Sequence, residues 1–451
     1  MLSFIYSALG FLIAIAILVT VHEFGHYWVA KKLGVKILRF SVGFGKPLWS
    51  KVAGEDQTEY RLAAIPLGGY VKMLGEEDDE YSAEESHRAF NNQAVWKRAL
   101  IVVAGPAINF LFAIIVYCGI FLMNEEAQLP ILGDIPQSSA VAQAGLQKGD
   151  KIISMDGRSV NYLGENSLYL INQVFKNGDV QIDVQRAGEN KSFDVSFEDI
   201  SIRNPSPSFI TREIGFQGVA RKPFVFGVVE GKPAQLAGML AEDRLLAVNG
   251  QPVDSAARFI ALVRQNGAEM AEFLIERDGR EQRINVQPNM EEVEGKQIPQ
   301  IGIRLGLLPL SEEHIVKHSY SLPAAMLRSL DETWLMSIVS LRMFGKILTL
   351  EASPKNISGP ITIAQVAGDA LQISAKYFLQ ILAVISISLG VINLLPIPML
   401  DGGHLLYYAV ETVKGSPLGE QWQIAGQKIG LFLLACLMSL AFYNDIFRLL
   451  N

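Results

Sequence analysis

His22-Glu23-Phe24-Gly25-His26 is the stretch that decides how the rest of the chain is interpreted. On a helix, positions i and i+4 lie on the same face, so the two imidazoles can bind one metal ion. Glu23 then lies within reach of a metal-bound water as a general base. The stretch closes an apolar run that begins at Phe4, where ionisable groups are costly and usually functional. The sequence therefore predicts a metal site at the end of a membrane helix.

The composition is that of a membrane protein. Half of the 451 residues are hydrophobic, only 19% are charged, and the mean hydropathy is +0.25. Four apolar segments reach or approach the roughly 20 residues that cross a bilayer; they are residues 4–21, 99–123, 378–400 and 429–443. The fourth is short, and it can either extend into Ile446 and Leu449 or be a tilted or partly interfacial segment. The net charge of −7 gives no reason to expect a nucleic-acid partner.

Basic residues predict the orientation of the chain in the membrane. Six Lys or Arg residues and no acidic residue lie between Lys31 and Lys51. A short basic loop of this kind belongs on the cytoplasmic side. We therefore expect the N-terminus and the large central region outside the cytoplasm, and the metal site toward the cytoplasmic side.

The central region contains an internal repeat. The fourteen residues from Ala144 to Gly157 align with those from Ala237 to Gly250 at a constant offset. A period of about 90 residues is too long for a solenoid and suits two tandem small domains. The repeated A-G-L-x-x-G-D-x-I pattern resembles the PDZ family over about residues 129–306. Two PDZ-like α/β domains are therefore expected in this region.

A second motif runs from Asn393 through Pro396, Pro398 and Asp401 to His404. Two prolines this close cannot continue a regular helix, and irregular backbone at membrane depth is tolerated only inside protein or along a cavity. Catalytic zinc takes three protein ligands and leaves one position for water, and Asp401 is the natural third ligand. Two alternatives stay open, since Asp401 can instead be a helix N-cap and His404 is the second choice of ligand.

Two further segments flank these motifs. Residues 38–74 are aromatic and β-branched runs interrupted by glycine, with Gly68-Gly69 as a hairpin signal. A hairpin there could offer a strand edge to which an extended substrate pairs. Residues 322–350 carry an apolar stripe broken by charges, which is typical of an amphipathic helix on the outer membrane face or docked on the spanning bundle.

Taken in order, these motifs resemble the site-2 protease family. The stretch Ala104-Gly105-Pro106-Ala107-Ile108-Asn109 adds to the likeness, and the tandem PDZ insertion is similar to the bacterial regulator-of-sigma-E branch. The resemblance implies a zinc metalloprotease with His22, His26 and Asp401 as ligands and Glu23 as base. It also implies active-site support or substrate binding for Asn109 and Asn393, while a helix–helix hydrogen bond in lipid is the alternative for Asn109. Gly68 and Gly69 are candidate substrate-binding residues through the strand edge described above.

The same resemblance implies location and partners. It places the chain in the bacterial inner membrane as a multi-pass protein, with periplasmic PDZ-like domains that bind chain ends or exclude bulky substrates. The substrates it implies are single-pass membrane proteins, namely an anti-sigma factor or remnant signal peptides. The alternatives are a catalytically silent PDZ adaptor and an intramembrane metal transporter, although a transporter has no need of Glu23 beside His22.

The predicted fold class is a polytopic α-helical membrane protein with about four spanning helices, a small membrane-associated β region and two inserted PDZ-like α/β domains. Eight segments are predicted: a first spanning helix (1–30), a cytoplasmic β-hairpin region and loop (31–97), a second spanning helix (98–123), a first PDZ-like domain (124–215), a second PDZ-like domain (216–310), an amphipathic helix region (311–352), a third spanning helix with the proline motif (353–410), and a cytoplasmic helix and loop followed by a fourth spanning helix (411–451).

Overall fold

The computed structural model describes residues 2–76, 81–200, 209–293 and 296–450. The helices are α1 (Leu2–Lys32), α2 (Val95–Leu122), α3 (Ala140–Gln143), α4 (Ser167–Lys176), α5 (Pro233–Leu236), α6 (Ala256–Asn266), α7 (Leu322–Leu348), α8 (Pro360–Ile373), α9 (Ala375–Leu394), α10 (Asp401–Lys414) and α11 (Glu420–Leu450). The strands are β1 (Ile37–Ala53), β2 (Thr58–Met73), β3 (Glu125–Gln128), β4 (Lys151–Met155), β5 (Arg158–Ser159), β6 (Asp179–Arg186), β7 (Glu189–Ser196), β8 (Pro223–Val228), β9 (Arg244–Val248), β10 (Gln251–Pro252), β11 (Ala271–Arg277), β12 (Arg280–Val286), β13 (Asn289–Val293), β14 (Lys296–Gln300), β15 (Ile303–Leu307) and β16 (Ile315–His318).

Four helices in the described part of the chain are long and apolar enough to cross a membrane: α1, α2, α9 and α11. They fall where the four apolar segments predict them. The third ends at Leu394, not at residue 400, because the proline motif that follows cannot continue the helix. The fourth takes the extended alternative at its C-terminal end, since α11 runs to Leu450, and it begins earlier than predicted, at Glu420.

Helices α1 and α8 touch through small residues. An added Cβ on Gly10 would meet the Ala367 carbonyl carbon at 2.8 Å, and an added Cβ on Gly368 would overlap Ser7. Leu18, Ala367 and other buried residues form the shared core. The small residues allow the two backbones to approach closely. In lipid, where no hydrophobic effect drives helices together, such close packing stabilises their association.

A buried carboxylate fixes the end of α11. Asp445 is 1% exposed and accepts hydrogen bonds from the backbone N–H groups of Gly359 and Ile361, both at 2.9 Å, and from the Thr362 hydroxyl at 2.6 Å. It therefore caps the N-terminus of α8 from a different helix, where negative charge is favourable. This pairing explains how an acidic residue is tolerated within the fourth apolar helix.

The β region is one sheet built from two long, bent strands. Arg39 is registered with both Lys72 and Glu59, and Val42 with both Gly69 and Leu62, so the first half of β1 lies between two parts of β2. The hairpin turn is at residues 54–57. The prediction that Gly68-Gly69 forms a hairpin turn between two strands is therefore wrong, since both glycines lie inside β2.

The two repeats form two sheets with matching ion pairs. The first repeat has the strand order β5-β4-β6-β7, and the second has β12-β11-β9-β8-β15, with β10 on β9. In the first, Asp150 is 1% exposed and binds Arg186 through two bonds at 2.6 and 2.7 Å. In the second, Asp243 is fully buried and binds Arg277 at 2.6 and 2.7 Å. The aspartate at the equivalent position of each repeat thus forms the same buried ion pair with an arginine.

The boundary between the repeats lies past residue 215. Phe216 packs in the core of the first repeat, and Gly218 bridges to Leu132. The residues just after the predicted boundary therefore belong to the first repeat, because they complete its sheet. The second repeat begins with β8 at Pro223.

The first repeat is docked on the helices. Strands β3 and β16 pair with Gln128 opposite Ile315, which brings the start and end of the insertion together. Helix α7 forms as predicted and takes the docking alternative, since it packs against α2 and α4. Arg342 donates to the Asn172 side chain at 2.7 Å, and Arg328 donates to the Asn166 side chain at 3.0 Å. The charges that interrupt the apolar stripe of α7 therefore bind the first repeat.

The buried Asp243 predicts a stability difference between two arginine substitutions in the second repeat. Arg277→Met leaves Asp243 buried without its cation, and breaking a buried pair this way costs about 3–5 kcal/mol. Arg283→Met removes a cation that is 72% exposed, and we expect a change within about 1 kcal/mol. Amide hydrogen exchange of β9 and β11 in the intact chain measures both. Equal exchange in the two variants would contradict the role given to Asp243.

Candidate metal centre

Two glycines allow α1 and α2 to approach at the predicted motif. An added Cβ on Gly25 would lie 2.8 Å from the carbonyl carbon of Ala104. An added Cβ on Gly105 would overlap the His26 ring and lie 2.8 Å from His22 Cε1. The helix backbones therefore meet here with no side chain between them, and both imidazoles project into the resulting space. Gly105 lies in the A-G-P-A-I-N stretch quoted above, but nothing in the sequence marks it as the residue that leaves room for the two imidazoles.

The structure brings His22, His26 and Asp401 together. Asp401 Oδ2 lies 3.2 Å from His22 Nε2 and 3.6 Å from His26 Nε2, and the two Nε2 atoms are 3.2 Å apart. Within the residues that the structure describes, this is the one cluster whose ligand atoms converge on a single point. His404 lines the same cavity and is not part of the cluster.

The start of α10 places Asp401. Met399 has a φ of 83°, so the chain turns sharply just before the helix, at some cost in backbone strain. Added Cβ atoms on Gly402 and Gly403 would overlap carbonyl groups of the preceding turn, so the Asp-Gly-Gly sequence lets this turn fold back on the helix. Leu400 occupies the N-cap position and Asp401 makes no capping bond, so the N-cap alternative for Asp401 is wrong.

These residues fit a zinc ion. Asp401 Oδ2 is buried and has no hydrogen-bond donor, although two imidazole nitrogens face it. His26 Nδ1 lies 2.8 Å from the Ile101 carbonyl, which accepts its proton and leaves the Nε2 lone pair free. Two imidazoles and a carboxylate are a usual ligand set for catalytic zinc, with the fourth position left for water.

Glu23 lies in the wall of the same cavity, which has a volume of about 450 Å³. An added Cβ on Gly69 would lie 2.7 Å from the Ser41 carbonyl oxygen and 3.1 Å from Glu23 Cγ, so only glycine fits there. Val71 of strand β2 lines the cavity together with Glu23. Strand β2 therefore faces the metal centre at Val71, a contact that the sequence did not single out.

Of the remaining predicted site residues, two contact His22 and one lies away from the cavity. Asn109 Nδ2 lies 3.2 Å from His22 Nδ1, and Asn393 Nδ2 lies 3.4 Å from His22 Nε2, so both contact a predicted ligand. Gly68 is not among the residues that line the cavity. It lies against Phe44 instead, whose ring an added Cβ would overlap. Sequence reasoning also missed the partly buried ion pair between Arg98 and Glu411, at 2.6 Å, which lines the cavity.

Comparison with known proteins assigns the chain to a family. The profile of Peptidase family M50 matches residues 10–437. The chain belongs to peptidase family M50. As the motifs implied, it is a zinc metalloprotease of the site-2 type, and zinc is the cofactor of this M50 peptidase.

Named relatives agree with this assignment. The chain is 38% identical to the regulator of sigma-E protease RseP of Escherichia coli over 100% of both chains. It is also 38% identical to a Neisseria meningitidis protein, named as a zinc metalloprotease, over 99% of this chain and 100% of that protein. Among solved structures, a PDZ domain of an SdrC-like protein from Listeria monocytogenes matches 20% of this chain and 92% of its own, with 18% identity and a TM-score of 0.18.

Two glycines of α2 provide a matched test of the metal centre. Gly105→Ala places a methyl group against both imidazoles, so we expect the purified M50 peptidase to lose most of its zinc. An added Cβ on Gly119 has no neighbour within 4 Å, so Gly119→Ala should keep about one zinc per chain. Elemental analysis of the detergent-purified proteins gives the result. Full zinc in Gly105→Ala would show that the metal is held elsewhere.

Proposed function

We propose that this M50 peptidase cuts peptide bonds of single-pass membrane proteins at a zinc ion held by His22, His26 and Asp401, with Glu23 as general base. The convergence of these three ligand atoms beside Glu23, at the end of an apolar helix, supports the proposal most strongly. A protease uses a carboxylate next to its metal ligands to activate water.

The mechanism follows from what the residues around the site can do. Bound zinc supplies an electrophile that polarises the scissile carbonyl and activates water. Glu23 takes a proton from the attacking water and passes it to the leaving amine nitrogen. Tyr70 and Val71 of strand β2 line the cavity together with Glu23, so this strand lies beside the proposed base.

The substrate must be extended where it is cut. In a helix, the scissile amide is engaged in hydrogen bonds between residues four apart and is closed to attack. Strand β2 lies along the cavity from Gly69 to Met73, and an extended peptide can pair with its backbone. Asn393 is partly exposed and its amide nitrogen lies beside His22 Nε2, so it can donate to the substrate backbone.

The relatives' names support a choice of substrate and of compartment. A regulator of sigma-E protease suggests a membrane-bound anti-sigma factor as substrate, and remnant signal peptides are chemically equivalent apolar segments. The basic residues between Lys31 and Lys51 support a metal centre toward the cytoplasmic half of the bacterial inner membrane, with the repeats in the periplasm. The repeats then control which substrates reach the membrane part, by excluding bulk or by binding chain ends.

Removing the base separates a protease from the two other functions considered. Glu23→Gln should keep fold and zinc but lower cleavage by about 10² to 10⁴-fold, the usual contribution of a general base. Glu55→Gln, an exposed residue in the turn between β1 and β2, should cleave at the normal rate. The measurement is cleavage of a reporter membrane substrate in vesicles. Undiminished cleavage by Glu23→Gln would remove Glu23 from the mechanism, whereas no cleavage by the unsubstituted, zinc-loaded chain would favour an adaptor or a transporter.

The structure also shows how to test the repeats as a filter. The ends of the second repeat adjoin, since Leu308 N donates to Lys222 O at 2.9 Å, so residues 223–307 can be replaced by a short turn. The whole insertion can be removed between Gln128 and Ile315, which are paired. We expect both deletions to cleave full-length substrates that the intact enzyme spares. Loss of all cleavage, in protein that is folded and zinc-loaded, would mean that the repeats deliver substrate.

A further inference from the structure

Asn109 lies directly behind the first predicted zinc ligand. It is fully buried on α2, and its side-chain nitrogen is 3.2 Å from His22 Nδ1, the ring nitrogen that points away from Asp401. Its other amide atom, Oδ1, is buried and has no hydrogen-bond partner. The Asn109 backbone carbonyl accepts a separate bond from the Ser386 hydroxyl at 2.9 Å. The side chain is therefore committed to the histidine, while the backbone joins α2 to α9.

The tautomer of His22 determines whether it can bind zinc. A neutral imidazole carries its proton on one nitrogen only, and the nitrogen that binds a metal must be the other. His22 faces Asp401 and His26 through Nε2, so ligation puts the proton on Nδ1. A protonated Nδ1 needs an acceptor, and Asn109 is the side chain in contact with it. His26 already has this arrangement, because the Ile101 carbonyl accepts from its Nδ1.

We propose that Asn109 is a positioning residue for the metal centre, presenting Oδ1 to the Nδ1–H of His22 and so fixing the ring with its Nε2 lone pair toward zinc. The two ends of an amide occupy nearly the same space, so this orientation needs only a half-turn of the side chain. The proposal rests on the zinc ligands proposed above. It gives a specific form to the supporting role that the family resemblance implies for Asn109, and it differs from the substrate-binding alternative.

Burial distinguishes the two roles. Asn109 is completely inaccessible, and the wall of the cavity is formed by other residues, such as Glu23, Tyr70 and Tyr407. A substrate therefore has no route to the Asn109 amide. Asn393, by contrast, is partly exposed and contacts Nε2, the ligating nitrogen, so it cannot orient the ring through Nδ1.

The experiment compares zinc affinity in five variants of the full chain in detergent, measured by competition with a chelator. Asn109→Leu keeps the shape but has no acceptor, and we expect zinc affinity to fall about 10–100-fold, as for other partners of metal-bound histidines. Asn109→Asp keeps an acceptor oxygen and should bind zinc within a few-fold of the unsubstituted protein. Asn109→Ala also removes the acceptor, without added bulk, and should lower zinc affinity by the same factor. It takes the place of Asn109→Leu if the leucine variant does not fold.

Ser386→Ala is the matched control, because it removes the bond between α9 and the Asn109 backbone and leaves the amide in place. It should bind zinc normally. Normal affinity in Asn109→Leu or Asn109→Ala, or equal losses in Asn109→Asp and Asn109→Leu, would overturn the positioning role. His22→Ala tests the metal site itself: if zinc affinity is unchanged there, the proposed ligand set fails, and this outcome is distinct from a failure confined to Asn109.

Discussion

Contact between the backbones of α1 and α2 is the constraint on which the site depends. Two imidazoles and two carboxylates are expensive to bury near lipid, and they are retained only when they are paired or bind a metal. Their convergence requires that nothing larger than hydrogen project from Gly25 or Gly105, because a methyl group at either position would overlap the facing helix or the imidazoles. Gly402 and Gly403 likewise allow the start of α10 to lie against the preceding turn. This brings Asp401, the proposed third ligand, to the two histidines. The glycines are therefore as necessary to the metal centre as the ligands themselves.

Two further sets of charged groups in the helical part have polar partners. Asp445 receives the free N–H groups at the start of α8, and Arg98 pairs with Glu411 between α2 and α10. Each of these contacts joins segments that are far apart in the sequence. They therefore hold the helices around the cavity while the polar groups inside it stay available for chemistry. The cavity is consequently a polar, water-accessible space within an apolar bundle.

The metal centre was more predictable from the sequence than the surrounding sheet. The spacing of His22 and His26 fixes their common face on a helix, and the two prolines before Asp401 predict a break in the helix there, so the cluster could be expected. The Gly68-Gly69 pair predicts a turn in the sequence, but both residues lie in β2, where neighbouring atoms leave no room for a Cβ. A glycine required by a close approach and a glycine required by a turn look alike in a sequence. The full extent of α11 is hidden for a related reason, since the uncharged run ends at Lys428 on one side and before Asp445 on the other, and the partners of Asp445 are invisible in the sequence.

The proposed mechanism depends on zinc coordination by two imidazoles and one carboxylate, with an open position. X-ray absorption at the zinc edge of the purified, zinc-loaded enzyme measures this directly, because imidazole rings give outer-shell scattering that carboxylate and water do not. We expect two imidazole nitrogens and two oxygens at about 2.0–2.2 Å from the metal. A first shell with three or more imidazoles, or with sulfur, would contradict it, because His404 or Cys436 would then replace Asp401 as a ligand.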